Sequence, residues 1–370
     1  MEFEFIQHKL KLQSCCKDAA KHPWLALDTE FIREKTYFPN LCLIQFASND
    51  KVYCIDTLAI DDLSPFKELL FLPTVKKVFH AASQDLEIIF NLCGEIPTPI
   101  FDTQIAASAL GYGEQVSYAH LVKEICGVTL DKSLSRTAWN RRPLKDNEIQ
   151  YATDDVKYLA KVFKQLMIEL EMRNRTHWVM DECQKISAIE NYKVNPNALW
   201  KSVKGVGKLE PDQLIVLKHL ASWRDHQARS ENKPRQWILR DKTLRALAIE
   251  QPRNTSSLSN IEEITKQQVS LYSNSLLKCI NDALLTPKHL WPDKSPHKPL
   301  NREQRKLLKR ALQIVRKRAE EFQLSPNLLA TRSVIEKLIR GQRELLILRD
   351  WRQEIVGNDL LQLLENNDTI

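Results

Sequence analysis

The first hundred residues alternate between short apolar runs and segments with helical periodicity. The apolar runs predict strands at residues 24–31, 41–48, 51–57 and 75–80. Asn49 and Asp50 separate the second run from the third, which predicts a tight hairpin. The helical segments are residues 63–72 and 84–92, and Gly94 marks the end of the second. Strands alternating with helices indicate an α/β layer.

Beyond residue 102 the strong patterns are helical, and stretches containing proline and glycine interrupt them. Two interruptions, at residues 191–211 and 286–300, divide the chain. We therefore predict an α/β plus all-α protein, with an α/β domain followed by two helical modules. The predicted domains are residues 1–195, 209–289 and 298–370. Similar short patterns recur in the two modules about 90 residues apart, which favours a duplication.

Length and composition exclude several classes of protein. The chain has 370 residues, 43% of them hydrophobic and 27% charged, so two or three domains with real cores are expected. No run approaches the roughly 20 apolar residues that span a bilayer, and the first ten residues do not resemble a signal peptide. We predict a protein that neither enters a membrane nor is exported.

The eight cysteines contain no Cys-x-x-Cys motif, and most lie in apolar runs. This pattern argues against structural zinc and is typical of free thiols in a reducing compartment. We therefore predict a cytoplasmic location.

The net charge of +7 is distributed unevenly. Residues 1–195 contain 23 Lys and Arg against 27 Asp and Glu, whereas residues 196–370 contain 31 against 20. An acidic part joined to a basic part is expected if the first uses carboxylates for chemistry and the second binds a polyanion. Ordinary surface charge also explains the basic half when that half is considered alone.

A pair of acids interrupts the first predicted strand. Asp28 and Glu30 are two positions apart, so their side chains leave the strand on the same face, close enough to share a cation. Apolar neighbours make a solvated edge strand a less attractive explanation. Taken alone, the pair favours a metal site no more strongly than an ordinary polar surface.

Two further motifs place acids on predicted helices. Asp85 follows a strand that ends near His80 and lies in the first turn of the next helix, where an acid also serves as an ordinary capping residue. Tyr151 and Asp155 share a helix face, whereas Asp154 points roughly 100° aside. An exposed acidic helix explains both aspartates but not the tyrosine.

In this order, the motifs resemble those of the DEDD superfamily of 3′-5′ exonucleases, in the subgroup with tyrosine in its third motif. Three stretches resemble signatures of the ribonuclease D family: DTEFIREKTYFPNLCLIQFA, FHAASQDLEIIF and RRPLKDNEIQYATDDVKYL. The helical modules resemble that family's paired HRDC domains, the first closely and the second loosely. The likeness implies a ribonuclease H-like 3′-5′ exonuclease domain followed by two small HRDC-type helical domains.

The resemblance also implies the chemistry. Four acids would hold two divalent cations, Mg²⁺ or Mn²⁺, and a tyrosine would help to orient the attacking water; these residues are Asp28, Glu30, Asp85, Asp155 and Tyr151. An all-carboxylate site suits such hard cations. The implied substrate is RNA with a free 3′ end, notably tRNA precursors, hydrolysed stepwise to 5′-mononucleotides. A monomer is favoured.

Two alternatives stay open. A 3′-5′ exodeoxyribonuclease of the same superfamily would carry the same motifs, because discrimination of the 2′-hydroxyl depends on other contacts in the pocket. A non-catalytic nucleic-acid-binding protein built on a decayed nuclease would also keep the basic half. All four acids and the tyrosine are present, which counts against decay. In either case the basic half is expected to bind phosphates in a salt-sensitive manner.

Overall fold

The computed structural model describes residues 2–131, 133–134, 137–293 and 299–368. The chain forms two compact units. The first comprises residues 1–32, 41–192 and 299–370, and the second comprises residues 33–40 and 193–298. The segment predicted as the last domain thus lies almost entirely in the same unit as the α/β part.

A six-stranded sheet organises the first unit. Its strands are β1 (Glu2–Ile6), β2 (Trp24–Ile32), β3 (Asn40–Ser48), β4 (Lys51–Asp56), β5 (Lys76–Phe79) and β6 (Ile100–Asp102). The accompanying helices are α1 (Lys9–Ala19), α2 (Ser64–Leu70), α3 (Ser83–Cys93), α4 (Thr103–Leu110), α5 (Tyr118–Cys126), α6 (Asp146–Met172) and α7 (Thr176–Ile186). The strand order is β1-β4-β3-β2-β5-β6. The β3–β4 pair is antiparallel and the pairs β1–β4, β2–β5 and β5–β6 are parallel, so the sheet is mixed.

The α/β prediction is confirmed for this part of the chain. The predicted hairpin exists, with Asn49 at a φ of 53° in its turn. The sequence patterns missed β1, α1 and β6. β1 has five residues and pairs in parallel with β4, where Glu2 lies opposite Lys51. The strand that pairs with β1 is distant in sequence, so the residue pattern of β1 alone is a weak signal for a strand.

Strand β2 lies between β3 and β5, and its first half is buried. Leu25, Ala26 and Leu27 are at most 2% exposed, whereas every residue from Asp28 to the end of the strand is partly exposed. Helix α6 packs against β2 through its buried face, which includes Val156. The second half of β2 therefore emerges from the core beside α6.

Five C-terminal helices complete the first unit: α13 (Arg302–Glu321), α14 (Pro326–Leu329), α15 (Arg332–Ile339), α16 (Asp350–Arg352) and α17 (Asn358–Asp368). They share a hydrophobic core with α4 to α7. The rings of Trp178 and Trp351 stack with their centroids 4.6 Å apart, and Glu182 forms an ion pair with Arg352. Gly111 has a φ of 90°, and a Cβ there would collide with the carbonyl oxygen of Gln323. These contacts make the C-terminal helices part of the first unit.

The second unit is helical and contains α8 (Pro211–Ser230), α9 (Arg235–Ile238), α10 (Asp241–Glu250), α11 (Thr255–Ser259) and α12 (Lys266–Leu284). Tyr37, from the connection between β2 and β3, is 8% exposed and packs in its core. The Tyr37 hydroxyl donates to Asp225 Oδ1 at 2.8 Å and accepts from Arg229 and Arg235.

In the described part of the chain, no helix combines the length and the apolar character needed to cross a membrane.

Candidate active site

Strand β2 and helix α6 bring three of the predicted acids together. Asp28, Glu30 and Asp155 each offer a carboxylate oxygen, and these oxygens all lie within 4.8 Å of one another. All three residues are partly buried. Within the described residues, this is the only group of three or more His, Cys, Asp or Glu side chains with such spacing. The arrangement combines a carboxylate pair from a strand with one carboxylate from a helix.

Asp85, the fourth predicted acid, lies beside this group in the first turn of α3 and is 8% exposed. The hydroxyl of Thr29, between the two acids of β2, donates to Asp85 Oδ1 at 2.6 Å. The N-cap of α3 is Ala82, which makes no side-chain cap. Asp102 accepts from the backbone N–H groups of Ala81 and Ala82 at the start of that helix. Asp85 thus contacts β2 through Thr29, while its position in the first turn of α3 also suits an acid.

Burial raises the pKa of all four acids. Repulsion from the other acids adds to the effect for Asp28 and Glu30, and repulsion from Asp154 and then Asp85 adds to it for Asp155. The pKa of Glu30 rises to about 9, and those of Asp85 and Asp155 rise to about 7. The pKa of Asp28 rises well above its usual value. None of the four forms an ion pair with a described basic side chain. The four carboxylates thus lack a compensating positive charge. A bound cation would supply this charge.

These raised pKa values predict a pH-dependent instability of the metal-free protein. The folded state binds more protons than the unfolded state between about pH 4 and pH 9, so the free energy of unfolding falls as the pH rises through this window. Without metal, we expect Asp28→Asn to raise the melting temperature at pH 8 by about 3–5 °C. The difference between variant and wild type should shrink at pH 4.

Scanning fluorimetry in EDTA at several pH values measures this difference. Added Mg²⁺ should stabilise the wild type more than the variant, because binding to the folded state shifts the equilibrium. Asp61→Asn is the matched control, since that aspartate lies at an exposed position between β4 and α2. An Asp28→Asn protein that melts below the wild type at pH 8 in EDTA would contradict the expectation.

Tyr151 lies one helical turn before Asp155 on α6. Its ring packs against Trp139, with centroids 6.0 Å apart. Burial raises its pKa above the usual value, and the charges of Asp155 and Glu30 raise it further. The phenol therefore keeps its proton at neutral pH and offers a hydroxyl next to the acids.

Two further side chains support the site, and the motifs did not reveal them. Tyr118 on α5 donates its hydroxyl to the backbone carbonyl of Asp155. Asp102 ends β6 and holds the start of α3, as described above, while also accepting from the N–H of Gln104 at 2.8 Å. Tyr118 belongs to an ordinary amphipathic helix pattern, so nothing in the sequence distinguished it. Asp102 carried a local signal, because it is the N-cap of α4.

Other polar residues near the motifs already have partners. The ring nitrogens of His80 lie 3.0 Å from Thr103 Oγ1 and 3.0 Å from the carbonyl oxygen of Val116, and burial lowers the pKa of this histidine. Two arginines are paired: Arg142 binds both carboxylate oxygens of Asp56, and Arg141 binds Glu148 at 2.6 Å. These side chains hold the surrounding structure together.

Comparisons with known proteins show which family this chain is similar to. A family model described as 3′-5′ exonuclease matches residues 3–171, and the HRDC domain model matches residues 213–280. A ribonuclease D from Bartonella henselae is 39% identical, covering 92% of this chain and 85% of the relative. One from Pseudomonas paraeruginosa is 37% identical, covering 99% of this chain and 98% of the relative.

A solved structure is similar over the whole length. The crystal structure of Escherichia coli RNase D, described as an exoribonuclease involved in structured RNA processing, superposes with a TM-score of 0.88 at 32% identity. The match covers 99% of both chains. It supports the ribonuclease H-like exonuclease fold with a helical C-terminal region. The HRDC match covers the first predicted module, and the second module stays a prediction.

Proposed function

This chain belongs to the ribonuclease D family and is a 3′-5′ exoribonuclease, and from that premise we propose that its acidic site holds two divalent cations and hydrolyses RNA from the 3′ end. The observation that carries the proposal is the convergence of three carboxylates within 4.8 Å without a basic partner among the described residues. The proposed ligands are Asp28, Glu30, Asp85 and Asp155.

The donor set fits Mg²⁺ or Mn²⁺, since both prefer oxygen ligands and the group offers only carboxylates. When held by these carboxylates, such ions would lower the pKa of a water molecule and would stabilise the oxygen that leaves the phosphorus. The protein supplies the charge that retains the ions and a fixed geometry for the 3′ end. Thr29 contributes by holding Asp85 against β2 through its hydroxyl.

Tyr151 is proposed to orient the attacking water through its hydroxyl, as in the tyrosine subgroup. We expect Tyr151→Phe to lower kcat by about 10²-fold with KM nearly unchanged, because the lost hydrogen bond acts mainly in the transition state. Steady-state cleavage of a labelled RNA measures both constants. Tyr112→Phe is the matched control, since its hydroxyl donates to Glu169. A Tyr151→Phe enzyme with wild-type kcat would remove the hydroxyl from the mechanism.

A defined cleavage assay tests the proposed function. RNA with a 3′ overhang, a matched DNA strand and RNA with a blocked 3′ end are incubated with Mg²⁺, Mn²⁺ or EDTA. Stepwise, metal-dependent release of 5′-mononucleotides from the unblocked RNA supports the proposal. Equal turnover of DNA would favour the broader exonuclease alternative, and RNA binding without cleavage under any metal would favour the binding-protein alternative.

We propose tRNA precursors as a substrate class, because the basic half offers positive charge for a structured polyanion.

The order of the helices supports two HRDC-type modules. Three helices of the second unit, α8, α9 and α10, begin at residues 211, 235 and 241, and α13, α14 and α15 each begin 91 residues later. We propose a cytoplasmic location, supported by the finding that none of the eight cysteines, all in the described part of the chain, forms a disulfide. The monomeric state stays a prediction.

A further inference from the structure

A cavity of about 470 Å³, lined by residues of α8 and α12 and by Pro196 and Asn197, lies in the second unit. It is separate from the acidic residues discussed above, because none of them lines it. Its lining includes Lys218, His219 and Trp223 from α8 and Lys278 and Asp282 from α12. A cavity of this size holds a small ligand or part of a larger one.

Helical spacing explains why these side chains meet. On α8, Lys218 and Trp223 lie on adjacent turns, next to a buried face that includes Leu217 and Leu220. On α12, Lys278 and Asp282 are four positions apart and share one face. The two helices pack against each other through buried apolar residues, so their polar margins form the walls of the cavity. The walls therefore belong to a rigid, packed part of the unit.

Trp223 presents a large aromatic surface at this cavity. Its ring contacts Tyr272 edge to face, with centroids 5.4 Å apart and an interplanar angle of 77°. This contact fixes the ring orientation while leaving the residue partly exposed. A fixed, partly exposed indole is a surface on which a nucleic-acid base stacks.

The charges of the cavity complement a nucleotide. Lys218 and Lys278 form no ion pair with any described side chain, so both ammonium groups are available for phosphates. Burial lowers the pKa of His219, whose Nε2 lies 3.4 Å from Thr286 Oγ1. Asp282 adds an acceptor that suits the amino group of a base but not a phosphate. The lining thus favours a base with flanking phosphates over a free anion.

We propose that this cavity binds a nucleotide of the single-stranded part of the RNA substrate, with its base on Trp223 and adjacent phosphates at Lys218 and Lys278. The inference rests on the proposed exoribonuclease function, since it assigns a second binding position to the same substrate. It gives the helical unit a defined role, which is to retain an unpaired strand by stacking and charge. Such contacts carry little sequence information.

Binding measurements on the full chain with Asp28→Asn test the proposal without cleavage of the probe. The probe is a hairpin RNA with a 12-nucleotide oligoadenylate 3′ tail. Adding Trp223→Ala should weaken binding about 10-fold, because the base loses its aromatic stacking partner. Adding Lys218→Gln with Lys278→Gln should reduce the slope of log affinity against log salt by about 1.4, since each phosphate contact on a single strand contributes about 0.7.

Matched controls on the same unit are Trp237→Ala, at a side chain that is 57% exposed, and Lys266→Gln at the start of α12. Neither control should change affinity or slope. If the controls weaken binding as much as the cavity variants, the effect is not specific and the proposal fails. Unchanged affinity and slope in both cavity variants would overturn it too and would direct attention to an acidic protein partner.

Cleavage of a dinucleotide separates this inference from the proposed function. With Asp28 intact, the cavity variants should cleave the dinucleotide at the wild-type rate, since one phosphodiester needs only the acidic site. A wild-type chain that cleaves no RNA refutes the proposed function. A normal wild type with unaffected cavity variants refutes only the nucleotide cavity. The lysine variant keeps the test valid if Trp223→Ala unfolds, because Lys278 is exposed and Lys218 is partly exposed.

Discussion

Asp28→Asn is expected to lower the rate of 3′-end cleavage by about 10³- to 10⁴-fold while RNA affinity changes less than about threefold. Burial and then Asp85, Asp155 and Glu30 all raise the pKa of Asp28. The charges of all three other acids thus act on Asp28. The amide is similar in size but neutral, so it removes charge without opening a cavity. RNA phosphates depend on basic residues elsewhere, which explains why binding persists.

Single-turnover cleavage and equilibrium binding of the same RNA measure the two effects separately. Asp61→Asn is again the control, because this exposed aspartate is not one of the proposed ligands and the variant should retain most of the activity. Calorimetric titration with Mg²⁺ adds a readout that is independent of turnover, and Asp28→Asn should bind the ion more weakly. A variant that cleaves RNA at a near-normal rate would exclude Asp28 from the mechanism.

Removing the C-terminal helices, residues 299–370, should destabilise the nuclease unit rather than only weaken RNA binding. These helices share one hydrophobic core with α4 to α7, so truncation would expose the Trp178 ring that stacks on Trp351. It would also leave Glu182 without its Arg352 partner. Exposing several large apolar side chains costs roughly 1.5–3 kcal/mol for each. We expect the truncated chain to melt at least about 10 °C lower or to aggregate.

Thermal unfolding of the full and truncated chains, followed through the nuclease unit, measures this effect. A point variant gives a milder version, since Trp351→Ala should cost about 3–5 kcal/mol by leaving a cavity. Arg316→Ala, at an exposed position on α13, is the control and should melt like the wild type. Equal melting temperatures for the full and truncated chains would mean that the shared core contributes little.

Because α13 is both basic and part of the shared core, its contacts with RNA are tested by point variants and not by truncation. Truncation removes both its charge and part of the nuclease core, so lost activity would not distinguish RNA contacts from unfolding. Lys309, Arg310 and Arg316 lie on the exposed side of α13. Replacing exposed cations of this kind changes charge while leaving the buried residues in place.

The acidic motifs were predictable because each is defined by local geometry. The two-residue repeat of a strand places Asp28 and Glu30 on one face, and the four-residue spacing of a helix places Tyr151 beside Asp155. Both depend only on backbone conformation near those residues. Local spacing also predicted the hairpin and the long helices, whose signals lie within a few residues of one another.

Tertiary structure decided which distant elements meet. The position of Asp155 beside Asp28 depends on α6 packing across β2. Tyr118 supports this packing by a hydrogen bond to the backbone of Asp155, and it belongs to no recognisable motif. The sequence could not predict that the C-terminal helices pack on the nuclease core. Their amphipathic pattern shows that one face is buried but not which element covers it. The sequence alone determined the chemistry of the carboxylates and the local elements that carry them. Only long-range packing determined their convergence, because the contacts that enforce it join distant residues, such as Thr29 and Asp85, 56 positions apart.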